Sequence, residues 1–496
     1  MQRIARSEHI RKTEELLVSS GKISPYELME KACDGITQAF IQRFPQKIPV
    51  HIFCGRANNG GDGLGLARRL HLKNYPISCY IVGGSPQTPE SQKQLNTYQL
   101  QTQKKLIEIT QVQDFPDLPQ GQEAILVDAL LGSGINRPLS GLLSQCVEYL
   151  NTQDKYRVAI DIPSGLHGEE PFPEGLFFHA HHIFFIEACR PSILYPSVAS
   201  LLGDYTCIDI GLDIDGVSDS GPKLFFQTDK DFSKPLLKRP RFIHKGTVGR
   251  VGLIAGQEGM LGAALLAAEA CLRSGIGTLT VQIPCAAKHL LHASLPEALW
   301  VYDDHPQFFT RSYLPKELKA IGVGPGLGTA FPSICGLRQL LRETQTPMVI
   351  DADALNILGL YPELWEDIPK GSILSPHEGE FEQCVGKSKT EKDGLDLLLK
   401  KSVQHGVVIL LKGAYTRIAC PDGKIIVNTT GDPAMATAGA GDVLTGIILG
   451  LLGQGLSSEW AARYATYLHG KAGEAAAQDK GNGLIARDLI KYLPRI

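Results

Sequence analysis

The sequence lacks several features that mark particular classes of protein. No run of about 18 apolar residues occurs, so we expect no membrane-spanning helix. The 11 cysteines include no Cys-x-x-Cys pair, which argues against a disulfide framework or a zinc ribbon and favours a reducing, cytoplasmic environment. Residues 1–17 are charged throughout and contain no apolar core, so we expect no secretory signal.

An excess of positive charge is also absent. The formal net charge of −3 provides no basic surface for a nucleic-acid backbone, so a small-molecule substrate is favoured. The 52 glycines follow no short period, which excludes a collagen-like or low-complexity chain. A single hydrophobic core stops growing near about 250–300 residues, so 496 residues predict two domains.

Short apolar runs alternate with helix-length polar segments in the first half of the chain. Four such runs lie at 50–55, 78–84, 123–132 and 156–165. This βαβ alternation predicts a mainly parallel, doubly wound sheet. In such a sheet, ligands bind where the carboxyl ends of the strands meet the following loops, and the glycine-rich turns fall there.

The pattern weakens at 213–243, which is rich in Ser, Asp, Gly and Pro, and we place a linker there. A second α/β series follows. Its predicted strands lie at 249–256, 278–284, 319–326, 347–353, 371–377 and 407–414. A helix is predicted from Gly262 to Arg273, and helices at 441–455 and 457–473 close the chain. The sequence therefore predicts two successive α/β domains.

The segment GDPAMATAGAGDVLTGIILGLL joins a loop of small residues, Ala436 to Gly441, to an apolar helix that begins near Asp442. Inward-facing backbone N–H groups and the helix dipole suit such a loop to a phosphate. A carboxylate there is unfavourable unless it does chemistry, and Asp442 is placed to take a proton from a hydroxyl that attacks a phosphoryl group. From this loop alone, a plain helix N-cap is an equal alternative for Asp442.

Polar residues follow three more predicted strands of the second half. Asp351 and Asp353 lie at the end of one strand, His377 and Glu380 lie at the end of the next, and a third strand ends with Lys412, Gly413 and Thr416. Each group alone has a simple alternative as a turn cap or a solvated strand end. Their shared position at the crevice of a doubly wound sheet favours an active site.

In the first half, a strand leads into the loop ANNGGDG and then into a helix. The loop is neither Gly-x-Gly-x-x-Gly nor a phosphate-binding loop with Lys-Ser/Thr, and a tight βα turn is an alternative. Later strands end in VDALLGSG and AIDIPSG. Oxygens of Asn59, Asp128 and Ser164 are suited to coordinate a hard cation.

The ordered motifs HKGTVGRVGLIAG, GVGPGLG, VIDADALN, SPHEGEF, LKGAYT, TAGAGDVLTG and LHGKAG resemble the dehydratase domain of NAD(P)H-hydrate repair enzymes, over 225–496. The resemblance implies a ribokinase-like fold, Mg²⁺, and ADP as phosphoryl donor, with ATP as the other possible donor. It implies Asp442 as catalytic base. It implies contacts to hydrated nicotinamide nucleotide from Ala263, Gly326, His377 and Asp442, and to adenine nucleotide from Lys412, Gly413, Ala414, Tyr415, Thr416 and Gly441.

The motifs CGRANNGGDG, VDALLGSG and AIDIPSGL resemble the NAD(P)H-hydrate epimerase domain, over 1–215. The resemblance implies a Rossmann-like fold, K⁺ at Asn59, Asp128 and Ser164, and Asp161 as the acid/base that interconverts the R and S hydrates. It implies substrate contacts from Asn58, Asn59, Gly60, Gly61, Asp62, Gly132, Ser133, Gly134, Ile135, Asn136, Arg137, Pro138 and Asp161.

Several positions depart from the family pattern. Cys33 stands where Gly is usual, and Arg190 stands where a Lys is often found. In the second half, Leu295 replaces the usual His, and Gly431-Asp432-Pro433-Ala434 replaces Gly-Asn-Pro-Gly. None of these changes falls within the three main motifs of the first half.

We therefore predict a bifunctional lyase and isomerase that repairs hydrated NADH and NADPH. The expected partners are these hydrates and ADP, with no nucleic acid and no membrane, and we expect a homo-oligomer. The alternative is a small-molecule kinase of the ribokinase class with a non-catalytic N-terminal binding module. An NAD-dependent dehydrogenase is disfavoured because the dinucleotide fingerprint is missing. A metal site at His181 and His182 and a nucleophilic Cys54 are also disfavoured.

Overall fold

The computed structural model describes residues 1–172, 175–217, 221–233, 237, 239–287 and 294–494. The chain divides into two compact units, Arg3–Gly221 and Pro222–Ile496, and Met1–Gln2 belongs to the second. Part of the predicted linker at 213–243 lies outside the described residues, namely 218–220, 234–236 and 238. No helix among the described residues combines the length and the apolar character that crossing a membrane requires.

Seven parallel strands form the sheet of the first unit, in the order β4-β3-β2-β5-β6-β7-β8. After β1 (Gln2–Ile4), the strands are β2 (Val50–Cys54), β3 (Ile77–Val82), β4 (Ile107–Ile109), β5 (Ile125–Ala129), β6 (Tyr156–Ile160), β7 (His182–Ile186) and β8 (Asp204–Ile208). Counted from β2, this is the order 3-2-1-4-5-6-7, which extends the Rossmann order. The predicted doubly wound sheet is confirmed, and its switch point lies between β2 and β5.

The helices of the first unit are Ser7–Ser19, Pro25–Arg43, Asn58–Leu72, Pro89–Thr102, Gly141–Asn151 and Pro196–Ala199. The second helix begins where the sequence predicts, because Ser24 and Glu27 form a capping box before Pro25. Glu27 Oε2 accepts from the Ser24 N–H at 2.8 Å. Strands β2, β5 and β6 are buried with the helix Asn58–Leu72 in a core that includes Ile52, Leu66 and Val127.

Ten strands of the second unit follow the order β9-β18-β17-β16-β15-β14-β13-β10-β11-β12. They are β9 (Lys223–Phe226), β10 (Arg250–Ile254), β11 (Thr278–Pro284), β12 (Leu299–Asp303), β13 (Ala320–Val323), β14 (Met348–Ile350), β15 (Ile373–Leu374), β16 (Val408–Leu411), β17 (Thr416–Ala419) and β18 (Lys424–Asn428). The parallel strands β10 to β16 repeat the order 3-2-1-4-5-6-7, with the switch point between β10 and β13.

The helices of the second unit are Lys245–Val248, Leu261–Arg273, Phe331–Glu343, Asp353–Leu360, Glu378–Cys384, Glu391–His405, Ala440–Gly453, Ser458–Lys480 and Ala486–Lys491. Two sequence expectations need correction. The predicted linker contains a strand, β9, which pairs in parallel with β18. Thr416 does not end a strand but begins β17, which turns back antiparallel on β16. The α/β class predicted for this half is confirmed.

The helix that follows the small-residue loop packs tightly on the helix Leu261–Arg273. A Cβ added at Gly446 would lie 2.1 Å from the Ala267 carbonyl oxygen, and one added at Gly450 would lie 2.8 Å from that of Cys271. Glycine therefore allows the two backbones to approach, and this packing fixes the direction in which the helix Ala440–Gly453 presents its first turn.

Candidate active sites

In the second unit, one buried carboxylate joins three segments of the chain. Asp351 follows β14 and is 1% exposed. Its Oδ1 lies 2.8 Å from Lys412 Nζ, at the end of β16, and its Oδ2 accepts from Thr445 Oγ1 at 2.5 Å. Glu380 Oε2 lies 3.7 Å from the same ammonium group. The strand ends singled out in the sequence therefore meet at the helix Ala440–Gly453.

Asp442 lies in the first turn of that helix. The N-cap is Gly439, at φ 88°, and Asp442 comes three residues later, which excludes the N-cap alternative. Burial, and then the nearby Asp351 carboxylate, raise the pKa of Asp442 to about 6, against the opposing charge of Lys412. Asp442 is thus a carboxylate at pH 7 whose affinity for a proton is well above that of an ordinary aspartate.

Lys412 supplies positive charge to this cluster. Burial lowers the pKa of Lys412, but Asp351 and Glu380 outweigh burial and raise the pKa above its ordinary value. The ammonium therefore stays charged at neutral pH. Gly441 is adjacent, since a Cβ added there would lie 3.5 Å from Lys412 Nζ and 4.0 Å from Asp351 Oδ2. Lys412, Gly441 and Asp442 therefore lie together at the N-terminus of the helix Ala440–Gly453, a position that suits an anion.

His377 is the N-cap of the helix Glu378–Cys384. The imidazole Nδ1 accepts from the backbone N–H of Gly379 at 3.0 Å, and the backbone N–H of His377 donates to Glu380 Oε2 at 2.9 Å. The Lys412 N–H donates to the Pro376 carbonyl at 2.8 Å, which holds His377 beside Lys412 in the sheet. The His377 side chain is 61% exposed, and its Nε2 lies 3.5 Å from Glu380 Oε1.

Gly326 and Ala263 form a second group near the switch point. Gly326 has φ 59°, and a Cβ added there would lie 2.7 Å from the Met260 carbonyl oxygen and 3.3 Å from Ala263 Cβ. Of the remaining predicted nucleotide contacts, Thr416 Oγ1 donates to the Gly413 carbonyl at 3.0 Å. The Tyr415 ring stands 6.3 Å from the Phe226 ring, and Ala414 lies between Tyr415 and Gly413 in the same turn.

Backbone strain accompanies this cluster. Ala352, between Asp351 and Asp353, has φ 49°, a conformation that favours glycine. Asp353 is fixed beyond it, because its carboxylate accepts from the Gly328 N–H at 2.8 Å and from Asn356 Nδ2 at 3.3 Å. The strain aims Asp351 into the cluster and turns Asp353 toward the Gly328 loop.

In the first unit, oxygen atoms converge beside the switch point. Asp128, fully buried at the end of β5, accepts from Ser164 Oγ at 2.6 Å and from the Ser164 N–H at 2.7 Å. Burial raises the pKa of Asp128 to about 6, although the bonds from Ser164 oppose the shift. Asn59 Nδ2 donates to the Leu131 carbonyl at 2.8 Å, while Asn59 Oδ1 is buried without a partner among the described residues. An orphaned oxygen beside buried oxygens fits a hard cation.

Asp161 follows β6 and has φ 63°. Its Oδ1 accepts from Arg190 Nη2 at 2.7 Å, and its Oδ2 accepts from the Ser133 N–H at 3.1 Å. A Cβ added at Gly132 would lie 3.1 Å from Asp161 Oδ2 and 3.3 Å from Asn59 Cβ. Asp161 therefore lies against both loops to which the resemblance assigned substrate contacts.

Two further carboxyl groups lie near Asp161. Asp62 is buried, and burial followed by the Asp161 carboxylate raises the pKa of Asp62 well above its usual range. Cys33 Sγ donates to Asp62 Oδ1 at 3.7 Å. Glu14, on the first helix, has its pKa raised to about 7 by burial and by Asp161, while Arg190 opposes the shift. Glu14 is therefore partly protonated near neutral pH.

The other predicted contacts of this unit lie on the same two loops. Asn58 Oδ1 accepts from Thr88 Oγ1 at 2.6 Å, and a Cβ added at Gly60 would lie 1.9 Å from the Gly55 carbonyl. The segment Gly132 to Pro138 follows β5, with open space beside Gly134. Within the described residues, these segments and Asp161 lie at the carboxyl end of the sheet.

Sequence reasoning missed Thr445, Glu14 and His469 as members of these sites. Thr445 lies three residues after Asp442, and this spacing on a helix could have suggested it. His469 belongs to the quoted motif LHGKAG, and burial lowers its pKa to about 4 although it bonds to the backbone of Ala440. Nothing in the sequence pointed to Glu14, because it reaches Asp161 only through the tertiary fold.

The features that the sequence disfavoured stay outside both sites. Burial raises the pKa of the Cys54 thiol well above its usual value, which opposes a nucleophilic role. His182 lies in β7 and its Nε2 is 3.0 Å from Thr206 Oγ1. Across the part of the chain that the structure describes, no group of three or more His, Cys, Asp or Glu residues is arranged to hold a metal ion.

Comparison with known proteins gives matches over both units. The family model described as NAD(P)H-hydrate dehydratase matches residues 251–495, and that of the YjeF-related protein N-terminus matches residues 25–192. The bifunctional NAD(P)H-hydrate repair enzyme of Moorella thermoacetica is 32% identical over 95% of this chain and 92% of its own length. The Escherichia coli enzyme of that name is 31% identical over 95% of this chain and 89% of its own.

Among solved structures, the ADP/ATP-dependent NAD(P)H-hydrate dehydratase of Bacillus subtilis, co-crystallised with ATP and Mg²⁺, is 33% identical. The match covers 56% of this chain and 98% of the Bacillus subtilis chain, with a TM-score of 0.48. The two sheets, their strand-end clusters and the matches over both units define a two-domain enzyme of nicotinamide-nucleotide chemistry. The chain belongs to the family of bifunctional NAD(P)H-hydrate repair enzymes, which confirms the resemblance in both halves.

Proposed function

We propose that residues 225–496 form a domain that dehydrates the S epimer of hydrated NADH and NADPH at the expense of ADP. Residues 1–215 form a domain that interconverts the R and S epimers. The observation that supports the dehydratase activity best is the cluster of Lys412, Gly441 and Asp442 at the N-terminus of the helix Ala440–Gly453. It combines a cation, a helix N-terminus and a carboxylate that takes up a proton near neutral pH.

The dehydration follows from that arrangement. The ring hydroxyl of the hydrate is a poor leaving group. Asp442 takes its proton as the oxygen attacks the terminal phosphoryl group of ADP, which forms a phosphate ester and releases AMP. Loss of phosphate from the ester with a ring proton then restores the dihydronicotinamide. The remaining contacts proposed for the hydrate are Ala263, Gly326 and His377.

The charge that develops on the phosphoryl oxygens needs compensation. The groups proposed to compensate it are the Lys412 ammonium, which stays charged, and the first N–H groups of the helix Ala440–Gly453. Lys412, Gly413, Ala414, Tyr415, Thr416 and Gly441 are the proposed nucleotide contacts. Mg²⁺ would supply further positive charge, held chiefly by the phosphate oxygens of the nucleotide, as is usual for this ion.

The test of the dehydratase assignment is Asp442→Asn. The variant keeps the loop but loses the base, so kcat is expected to fall by about 100-fold or more while ADP still binds. The recovery of absorbance of reduced nicotinamide measures kcat, and calorimetric titration measures ADP binding. Asp432→Asn changes a carboxylate that caps the short helix Pro433–Met435 and accepts from the Ala434 N–H, and it serves as the control. Unchanged turnover in Asp442→Asn would refute the role.

The same assay separates the alternative function. A kinase of the ribokinase class would accumulate a stable phosphorylated product without recovery of NADH. A dehydratase returns NADH with AMP and phosphate in equal amounts. The cytoplasmic location and the homo-oligomeric state stay predictions, and light scattering after size-exclusion chromatography checks the second.

For the epimerase, we propose that K⁺ binds at Asn59, Asp128 and Ser164. Support comes from the buried Asn59 Oδ1, which has no partner among the described residues, and from the Leu131 carbonyl, which accepts from both Asn59 Nδ2 and Ser164 Oγ. Ser164 Oγ also donates to Asp128 Oδ1, so the three side chains supply oxygens suited to a hard cation. K⁺ would hold these segments and the substrate phosphates in place. Asp161 is the proposed acid/base, and Asn58 to Asp62 and Gly132 to Pro138 are the proposed substrate contacts.

Removal of the orphaned oxygen tests the cation site. Epimer exchange in the Asn59→Ala variant is expected to lose its dependence on K⁺, because one ligand and the link to the Leu131 carbonyl are gone. Exchange rates measured over a series of K⁺ concentrations at constant ionic strength give the response. Asn58→Ala is the matched control and is expected to change KM while it keeps the K⁺ response. A normal K⁺ response in Asn59→Ala would contradict the assignment.

A further inference from the structure

Arg190 and Asp161 form a buried ion pair. Arg190 is 1% exposed and Asp161 is 7% exposed. Arg190 Nη2 donates to Asp161 Oδ1 at 2.7 Å. Taking both charges out of water is costly, so a buried pair of this kind is weak support for stability. Its location in the epimerase crevice suggests a different use.

The guanidinium group is fixed by backbone atoms on its other side. Arg190 Nη1 donates to the carbonyl oxygen of Ala188 and, at 3.4 Å, to that of Ile186, at the end of β7. Strand β7 is the neighbour of β6, which Asp161 follows. A planar guanidinium can donate in two directions at once. Arg190 therefore links the carbonyl groups at the end of β7 to the Asp161 carboxylate that follows β6.

The two carboxylate oxygens of Asp161 are consequently not equivalent. Oδ1 faces Arg190. Oδ2 accepts from the Ser133 N–H at 3.1 Å and lies beside Gly132, where an added Cβ would come within 3.1 Å of it. That added Cβ would also lie 3.3 Å from Asn59 Cβ. Oδ2 therefore opens toward the two proposed substrate loops.

Resting on the proposed epimerase function, we propose that Arg190 is the positioning residue for Asp161: it occupies Oδ1 and leaves Oδ2 as the oxygen that meets the substrate. The backbone of Asp161 is strained, at φ 63°. The hydrogen bonds from Arg190 to Oδ1 and from the Ser133 N–H to Oδ2 hold the residue in this conformation. Glu14 provides a second acidic group within the field of Arg190. Arg190 thus also limits the negative charge that an anionic dinucleotide would meet.

Replacement of Arg190 separates positioning from stability. Arg190→Gln is expected to lower kcat for epimer exchange by about 100-fold, as small misplacements of a catalytic group do, with little change in KM. Arg190→Lys restores part of the rate, because an ammonium can pair with Asp161 but cannot reproduce the planar fork. Dehydratase activity of the same chains is expected to stay at its wild-type level.

A double variant provides the sharper readout. Arg190→Gln leaves the Asp161 carboxylate buried without its partner, so the free energy of unfolding measured in urea is expected to fall. The double variant Arg190→Gln with Asp161→Asn also removes the carboxylate charge, so this free energy is expected to recover. Exchange is expected to stay low in the double variant. Arg68→Gln is the matched control, since it removes another buried arginine, whose half-buried partner Glu30 lies 2.8 Å away, and it is expected to lower stability but keep exchange.

The outcomes are distinguishable. Wild-type kcat in Arg190→Gln would overturn the role of Arg190 alone. Recovery of exchange in the double variant, which lacks the Asp161 carboxylate, would overturn the role of Asp161 as acid/base and, with it, the positioning role of Arg190. A wild-type chain that exchanges no epimers at any K⁺ concentration would overturn the proposed function of this unit and the role of Arg190 with it.

Discussion

Among single residues, the two sites tune carboxyl groups by different means. Asp442 is partly desolvated and shares a charged cluster with Asp351 and Lys412, so its proton affinity is raised. Asp161 is held by a guanidinium group and a backbone N–H instead. A base that must accept a proton near pH 7 gains from the first environment. A group that must keep one oxygen oriented gains from the second.

A pH prediction belongs to Asp442. Its pKa is raised from the usual 3.8 to about 6, so Asp442 becomes protonated as the pH falls through about 6 and can no longer accept the substrate proton. The dehydratase kcat is expected to fall below that pH and to be level above it. Initial rates measured between about pH 5 and 8, with the enzyme shown to remain folded, give the profile. An acid limb near pH 4 would contradict the buried environment of Asp442.

Charged residues of an active site can be predicted from the sequence when they stand next to a glycine turn or at the end of a strand. Asp351, Lys412 and Asp442 were found in this way, and they do meet in one cluster. Residues that reach a site only through tertiary packing cannot be predicted in this way. Arg190 was noted as a departure from the family pattern, but its contact with Asp161 depends on the pairing of β6 with β7.

Among secondary-structure elements, the helix Ala440–Gly453 has the greatest influence on the dehydratase site. Its first turn presents Asp442, and its middle must pack closely for that turn to face Lys412. Gly446 and Gly450 allow the helix Leu261–Arg273 to approach within backbone contact. The glycines of this helix therefore serve packing, in addition to the phosphate binding proposed for the loop that precedes it.

Gly446→Ala tests this packing. The new Cβ would lie 2.1 Å from the Ala267 carbonyl oxygen, so the two helices must separate. The free energy of unfolding is expected to fall by about 1–3 kcal/mol, which is typical of overpacking. Urea unfolding followed by circular dichroism measures it.

Gly262→Ala is the matched control, on the partner helix and with nothing within 4 Å of the new Cβ. It is expected to leave stability equal or slightly higher, because alanine favours a helix over glycine. Equal stability of the two variants would show that the contact at Gly446 is not tight.

Elements with a clear period or a strong end signal were predictable from the sequence. The helices at Pro25 and Leu261 and the central strands are examples, because capping residues and apolar runs mark them. Strand β9 was missed since LFF is short and stands among Ser, Gly and Pro. The turn into β17 was misread because an antiparallel hairpin interrupts an otherwise parallel series.

At the scale of the whole molecule, two sheets with the same parallel strand order stand in one chain. Each has its own switch point, its own site and its own hydrophobic core. The βα alternation of the sequence was sufficient to predict two doubly wound units. Strand order was beyond the sequence, because it depends on which strands pair in space.

Separate cores predict separate unfolding. Heating is expected to give two calorimetric transitions, with dehydratase and epimerase activities lost at different temperatures, because each compact unit has enough buried apolar surface to fold by itself. Residual activities measured after brief incubation at each temperature assign the transitions. A single transition in which both activities disappear together would contradict this prediction.

Both units place a non-glycine residue at positive φ within a candidate site: Asp161, the proposed acid/base, at 63°, and Ala352, next to the buried Asp351, at 49°. Conformations of this kind cost about 1–3 kcal/mol each. Laboratory evolution toward heat resistance alone would therefore gain by placing glycine at 352 or asparagine at 161. Selection for cofactor repair would instead retain Asp161 and Ala352 despite their strained backbone. The residues found at positions 161 and 352 would therefore show whether a population had been selected for heat resistance or for repair activity.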